Sequence, residues 1–180
     1  MIELTEVVNI KGKPTGLIDT FNKAMHQGDL HRGIRLAIYT NEGKVLLQKR
    51  SSSILFNQNL WDISMGGLVD ANETPEQAAI RELNEEMGIK ISEDQLEPIG
   101  VWHYHHHLKP DYNKNELLYV YLVQINQKTN FTLQESEVSK YKYIPVKELE
   151  KMINEHIDAE HIIPLRSFFL RVLSNIEERL

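Results

Sequence analysis

The residues of this chain best equipped for chemistry are three glutamates, Glu82, Glu85 and Glu86, in the segment GLVDANETPEQAAIRELNEEMGI from Gly67 to Ile89. Helix signals bracket them. Thr74 suits an N-cap, Pro75 the first helical position, Gln77 the third position of a capping box, and Gly88 a C-terminal stop, which predicts a helix over Pro75 to Met87. On a wheel turning roughly 100° per residue, Glu85 and Glu86 lie about −60° and +40° from Glu82, so the carboxylates share one face. Ile80, Leu83 and Met87 form an apolar stripe to one side. The expectation is a helix that packs with one side and leaves its acidic side open. Like charges at these spacings repel by roughly 0.2–0.5 kcal/mol per pair, and helix propensity asks for glutamate at none of the three places, so a cation is expected among them. Hard oxygen donors favour Mg²⁺ or Mn²⁺, whose remaining positions are filled by water and substrate phosphate.

Composition narrows the alternatives. The chain has no cysteine, which excludes zinc-thiolate sites, iron-sulfur clusters and thiol nucleophiles. Its 180 residues, 41% hydrophobic and 26% charged, match one ordinary globular domain over 1–180. A net charge of −6 argues against general affinity for nucleic-acid backbone, so a phosphate-bearing small molecule would need a metal ion or a local basic cluster. No run approaches the roughly 18 apolar residues of a bilayer span, and the first residues lack the layout of a secretory signal. A cytoplasmic protein with no membrane partner is expected.

The elements that must position the glutamates follow from periodicity and turn chemistry. Residues 1–30 read as a strand-turn-strand extension from Ile2 to Asp19, reversed around Gly12, Pro14 and Gly16, with a short helix through Asn22 to His26. Ile34, Leu36 and Ile38 alternate with Gly33, Arg35 and Ala37. Asn41-Glu42-Gly43 then separates them from Val45-Leu46-Leu47, the pattern of a central antiparallel hairpin. A polar loop from Ser51 to Asn59 ends at Leu60-Trp61. Beyond the acidic helix, strands are expected over Glu97 to Leu108 and Leu117 to Ile125, joined through Lys109 to Lys114, and around Tyr141 to Ile144. Helices follow near Val146 to Asn154 and His161 to Ile176.

The glutamate segment resembles the Nudix box, Gly-x5-Glu-x7-Arg-Glu-U-x-Glu-Glu-x-Gly-U, with U a bulky aliphatic residue. Gly67, Glu73, Arg81, Glu82, Leu83, Glu85, Glu86, Gly88 and Ile89 match it without departure. The resemblance implies an α/β/α sandwich with a mixed sheet, the box (67–89) forming a loop-helix-loop, and divalent-metal-dependent hydrolysis of a diphosphate linkage in a nucleoside diphosphate derivative or related organic diphosphate. It assigns Arg81 and Glu73 to an ion pair that fixes the loop, and a box carboxylate or one from a distant loop to the role of base. Glu82, Glu85, Glu86 and Gly66 form the candidate metal set, and Glu85, Glu86, Arg81 and Glu73 the candidate catalytic set.

The flanks are similar to the branch that includes isopentenyl diphosphate isomerase and its hydrolase relatives, through Leu30-His31-Arg32, Leu46 to Arg50 and Leu60-Trp61-Asp62-Ile63-Ser64. In the isomerases a catalytic cysteine followed by Gly-His stands just before the box helix. Here those positions read Gly66, Gly67 and Leu68, so hydrolysis is favoured over isomerisation. A non-catalytic phospho-ligand-binding module is the other alternative.

Outside the box, Glu116 is a candidate active carboxylate or a solvated strand-end charge. Glu137 is a distant-loop carboxylate or an ordinary loop residue. Lys49 and Arg50 are cations that meet a phosphate or end a strand in solvent, and Trp61 stacks on a base or packs. His103, His105 and His107 share a strand face, with His106 on the other, and read as metal ligands or as polar residues of a half-exposed strand. His31 reads as structural. A homodimer through the N-terminal strands or C-terminal helices is an expectation, and the particular diphosphate is unassigned.

Overall fold

A computed structural model describes residues 3–63, 65–109, 112–158 and 161–180. Ile2, Ser64, Pro110 and Asp111, which figure in the strand and loop expectations, lie outside the described residues.

The N-terminal extension is an antiparallel pair, β1 (Leu4–Val8) and β2 (Pro14–Thr20), followed by α1 (Phe21–Gln27). The pair is tied to the box loop. Thr5 Oγ1 donates to Val69 O at 3.2 Å, Ala71 N donates to Leu4 O at 2.9 Å, and Arg32 binds Glu6 at 2.5 Å.

The main sheet has seven strands of mixed direction: β3 (His31–Thr40), β4 (Lys44–Arg50), β5 (Trp61–Asp62), β6 (Met65–Leu68), β7 (Glu97–Lys109), β8 (Tyr112–Ile125) and β9 (Val138–Pro145). β3 runs at its centre, parallel to β8 and antiparallel to β6. The expected hairpin turns at Asn41-Glu42-Gly43, but β3 and β4 pair only at Tyr39 and Val45. Beyond that point β4 pairs with β9 and β5, while the first half of β3 pairs with β6. A cleft opens where the two groups of strands part.

Helices cover both faces. The even residues Ile34, Leu36 and Ile38 of β3 pack against Leu83 and Met87 of α2 (Pro75–Met87). The odd residues Ala37 and Tyr39 share a second core with Leu149 of α3 (Val146–Asn154) and with Phe169 and Val172 of α4 (Arg166–Glu177). The period-2 alternation of one strand thus feeds two cores, as an α/β/α sandwich requires.

Two boundaries differ from expectation. β8 begins at Tyr112 rather than Leu117, because polar Asn113, Lys114 and Asn115 pair across the long hairpin with His107, His106 and His105. α4 begins at Arg166 rather than His161. Pro164 disfavours helix in the residue before it, and Ile163 N donates instead to Trp61 O at 3.0 Å. Among the described residues, no helix is long and apolar enough to cross a membrane.

Candidate active site

The box helix starts and stops as its caps dictate. The Thr74 side chain accepts from Gln77 N and the Gln77 side chain accepts from Thr74 N. Gly88 closes the other end in the left-handed region at φ 70°. Ahead of the helix, Asp70 N donates to Glu73 Oε2 at 3.0 Å, which turns the Glu73 carboxylate toward Arg81. The Arg81 guanidinium then forms a bidentate pair, Nε to Oε1 and Nη2 to Oε2, each at 2.9 Å. It also donates to Leu68 O at 3.0 Å and to Glu82 Oε1 at 2.8 Å. Arg81 is the clamp of loop, strand and helix. The Glu73 hydrogen bonds, with Glu82 nearby, raise its already high pKa.

The acidic face of α2 is only partly open, where the wheel has it open throughout. Glu86 is only 3% exposed, and the Glu82 side chain 14%, while that of Glu85 is 51% exposed. Tertiary contacts that a helical wheel omits cover this face. β6 lies against Glu82 so closely that a Cβ on Gly67 would fall 2.1 Å from Glu82 Oε1. On the other side, Thr132 N and Gln134 N donate to Met87 O and Glu86 O, both at 2.9 Å, bringing up the loop that carries Glu137.

Burial and mutual repulsion therefore act on these acids. Burial, with the charges of Glu137 and Glu85 and against the pull of Arg81, pushes Glu82 up to about 7. Glu86 is driven well above the usual carboxylate range, first by burial and then by Glu137 and Glu82. No cation forms an ion pair with Glu86 among the described residues. Nor do three acidic or imidazole side chains among them already converge on one point at coordination distance. The donor set nevertheless fits a hard divalent ion: it is all oxygen, partly dehydrated, and short of positive charge at Glu86. Gly66 can offer only its main-chain carbonyl.

Gly66, Glu82 and Glu85 border a cavity of about 520 Å³, with Glu86 buried behind them. Arg50, Glu116 and Glu137 line it, with Phe21 and Phe56 as apolar wall. Lys49 and Trp61 do not. They are cross-strand partners whose side chains alternate away from those of Arg50 and Asp62, and the Trp61 ring packs on the second core beneath Lys142 Nζ, 4.4 Å from its centroid. Arg50 donates to Phe56 O at 3.3 Å and has no ion pair among the described residues. Burial lowers its pKa, opposed by the charge of Asp62.

Glu116, expected at a strand end, is buried within β8. Its Oε1 lies 3.0 Å from Lys114 Nζ and 3.4 Å from Nε2 of the fully buried His31. Burial raises the Glu116 pKa, but Lys114 and His31 outweigh it and hold the carboxyl at about 2. Sequence reasoning missed Arg35 and Asp62, whose side chains meet at 3.1 Å beside the cavity. The signal for Arg35 was an arginine flanked by the apolar Ile34 and Leu36 on the central strand. His103, His105, His106 and His107 are all exposed, with His103 and His107 held by Asn115 and Asn113.

Fold and site define a class: mixed-sheet α/β/α proteins carrying a carboxylate-rich loop-helix-loop beside a cleft. Comparison with known proteins gives the family. The NUDIX domain model matches residues 29–165. The chain is 31% identical over 158 residues to isopentenyl-diphosphate Δ-isomerase 2 of Photorhabdus laumondii, covering 87% of this chain and 86% of that protein. It is 33% identical over 160 residues to Nudix hydrolase 3 of Arabidopsis thaliana; the match covers 86% of this chain and 21% of the longer plant protein. Among solved structures, the DR0079 protein of Deinococcus radiodurans shares the fold with a TM-score of 0.72 at 22% identity, over 94% of this chain and 98% of that one. The chain belongs to the Nudix family and carries its box complete.

Proposed function

We propose that the protein hydrolyses the diphosphate linkage of a nucleoside diphosphate derivative or related organic diphosphate with Mg²⁺ or Mn²⁺. The observation that carries this reading is the meeting of Glu82, Glu85 and Glu137 with Arg50 in one cavity, with the unpaired carboxylate of Glu86 buried beside them. Glu82, Glu85 and Glu86, with the Gly66 carbonyl, would hold the ion. When bound, a divalent ion offsets phosphate charge and makes a water more acidic.

The chain's own groups do the rest. Arg50, a partly buried guanidinium with no ion pair among the described residues, is suited to a phosphate oxygen. Arg81 and Glu73 keep the loop and helix in register. Glu137, its pKa pushed up by partial desolvation of the carboxylate and by Glu3, is suited to accept a proton. Glu116, held ionised by Lys114 and His31, fixes charge on the opposite wall.

Isomerisation of the kind named for the Photorhabdus relative is disfavoured. The cysteine position of the isomerases is Gly66, and the chain has no cysteine at all. Phosphate or nucleoside monophosphate release should be measured across nucleoside triphosphates, dinucleotides, nucleotide sugars and isoprenoid diphosphates, with Mg²⁺, Mn²⁺ or chelator. Turnover that chelation abolishes is expected for at least one compound. Metal-independent binding without release would instead mark a non-catalytic module.

A further inference from the structure

We propose that Arg35 is a substrate-binding, specificity-determining residue whose guanidinium receives a phosphoryl oxygen of the diphosphate across from the box helix. This deepens the hydrolase reading and rests on it.

Three observations converge on Arg35. First, it interrupts the central strand: its neighbours Ile34 and Leu36 are buried in the α2 core, whereas Arg35 points to the opposite face, at the cavity. A charge in mid-sheet costs stability unless it is paired or used. Second, a gap in the sheet is made for it. Arg35 pairs across the strands with Gly66, and a Cβ at position 66 would fall 2.7 Å from both its Cδ and its Nη1. Gly66 and Gly67 thus admit a cation on one face of β6 and the carboxylate of Glu82 on the other. Any side chain at position 66, including the cysteine of the isomerases this chain resembles, would displace the guanidinium.

Third, the guanidinium is held but not exhausted. Asp62, 2% exposed, accepts one hydrogen bond from Nη1 at 3.1 Å and fixes its orientation. A guanidinium has five N–H donors. Arg35 makes no other hydrogen bond among the described residues, and none of its nitrogens is a buried unpaired atom. Its remaining donors therefore open on the cavity. A pre-oriented fork with free N–H groups is suited to phosphate, and Asp62 removes most of the entropy cost of orienting it.

The test uses the intact protein and imidodiphosphate, a non-hydrolysable diphosphate, titrated calorimetrically with Mg²⁺. R35M is expected to weaken binding at least tenfold, and to raise KM for any hydrolysed diphosphate more than it lowers kcat. G66A, which expels the guanidinium, should match R35M. The double variant should bind no worse than either single one, because both remove the same contact. Should R35M fold poorly, R35K and G66A carry the test, with R35K expected to lose the Asp62-fixed fork and weaken binding. Binding within twofold of wild type in folded variants, or independent losses that multiply in the double variant, overturns the proposal. The hydrolase reading fails separately: wild type that binds imidodiphosphate yet releases no phosphate from any compound refutes hydrolysis, while the binding series still decides on Arg35.

Discussion

At the scale of single residues, the box arginine separates structural from chemical roles. Arg81 spends its donors on Glu73, Glu82, Glu85 and a main-chain carbonyl. Removing Glu73 leaves the guanidinium without its bidentate partner. E73A should therefore cost about 1.5–3 kcal/mol of stability, measured by denaturant unfolding. Glu116 gives a pH signature. Its folded-state pKa of about 2 lies below the ordinary 4.5, so its contribution is fully present above about 4.5 and is lost as pH falls toward 2. Wild type should exceed E116Q in stability near neutrality, and unfolding midpoints should converge through that acid window. An equal gap at pH 7 and pH 3 would contradict the pairing of Glu116 with Lys114 and His31.

At the scale of elements, the box helix was legible because every signal for it is local. Thr74, Pro75, Gln77 and Gly88 act within one turn of the residues they cap, so sequence spacing alone placed Pro75–Met87. T74A should cost about 1 kcal/mol through loss of the N-cap. G88A should cost about 1–2 kcal/mol, because alanine resists the left-handed region, and its Cβ would come within 2.9 Å of Thr132 Cβ. Thermal denaturation of the two variants checks both. The acidic face is the counter-example. Whether Glu86 meets solvent depends on the loop at 132–137, distant in sequence, and no wheel contains that contact. The start of β8 was hidden similarly, since Asn113 to Asn115 carry no apolar alternation and form strand only because β7 pairs with them. Lys49 was grouped with Arg50 by adjacency, but the period of two puts neighbours on opposite faces.

At the scale of the molecule, function arises where β3 and β4 part. One group of strands brings Arg50 and the other Arg35, Gly66 and Glu116, while α2 closes one side with the box carboxylates. Family and reaction type were readable from the box, since its spacing records the chemistry directly. The opposite wall was not, because Arg35, Asp62, Glu116 and His31 come from separate strands whose register only the fold supplies. The central claim is that a divalent ion held at Glu82, Glu85 and Glu86 drives diphosphate cleavage. Its most direct test compares wild type with E86Q in phosphate release at saturating Mg²⁺ or Mn²⁺, with circular dichroism to confirm folding. The account predicts a loss of roughly 10²-fold or more in turnover with the fold intact. Wild-type turnover in folded E86Q would contradict it.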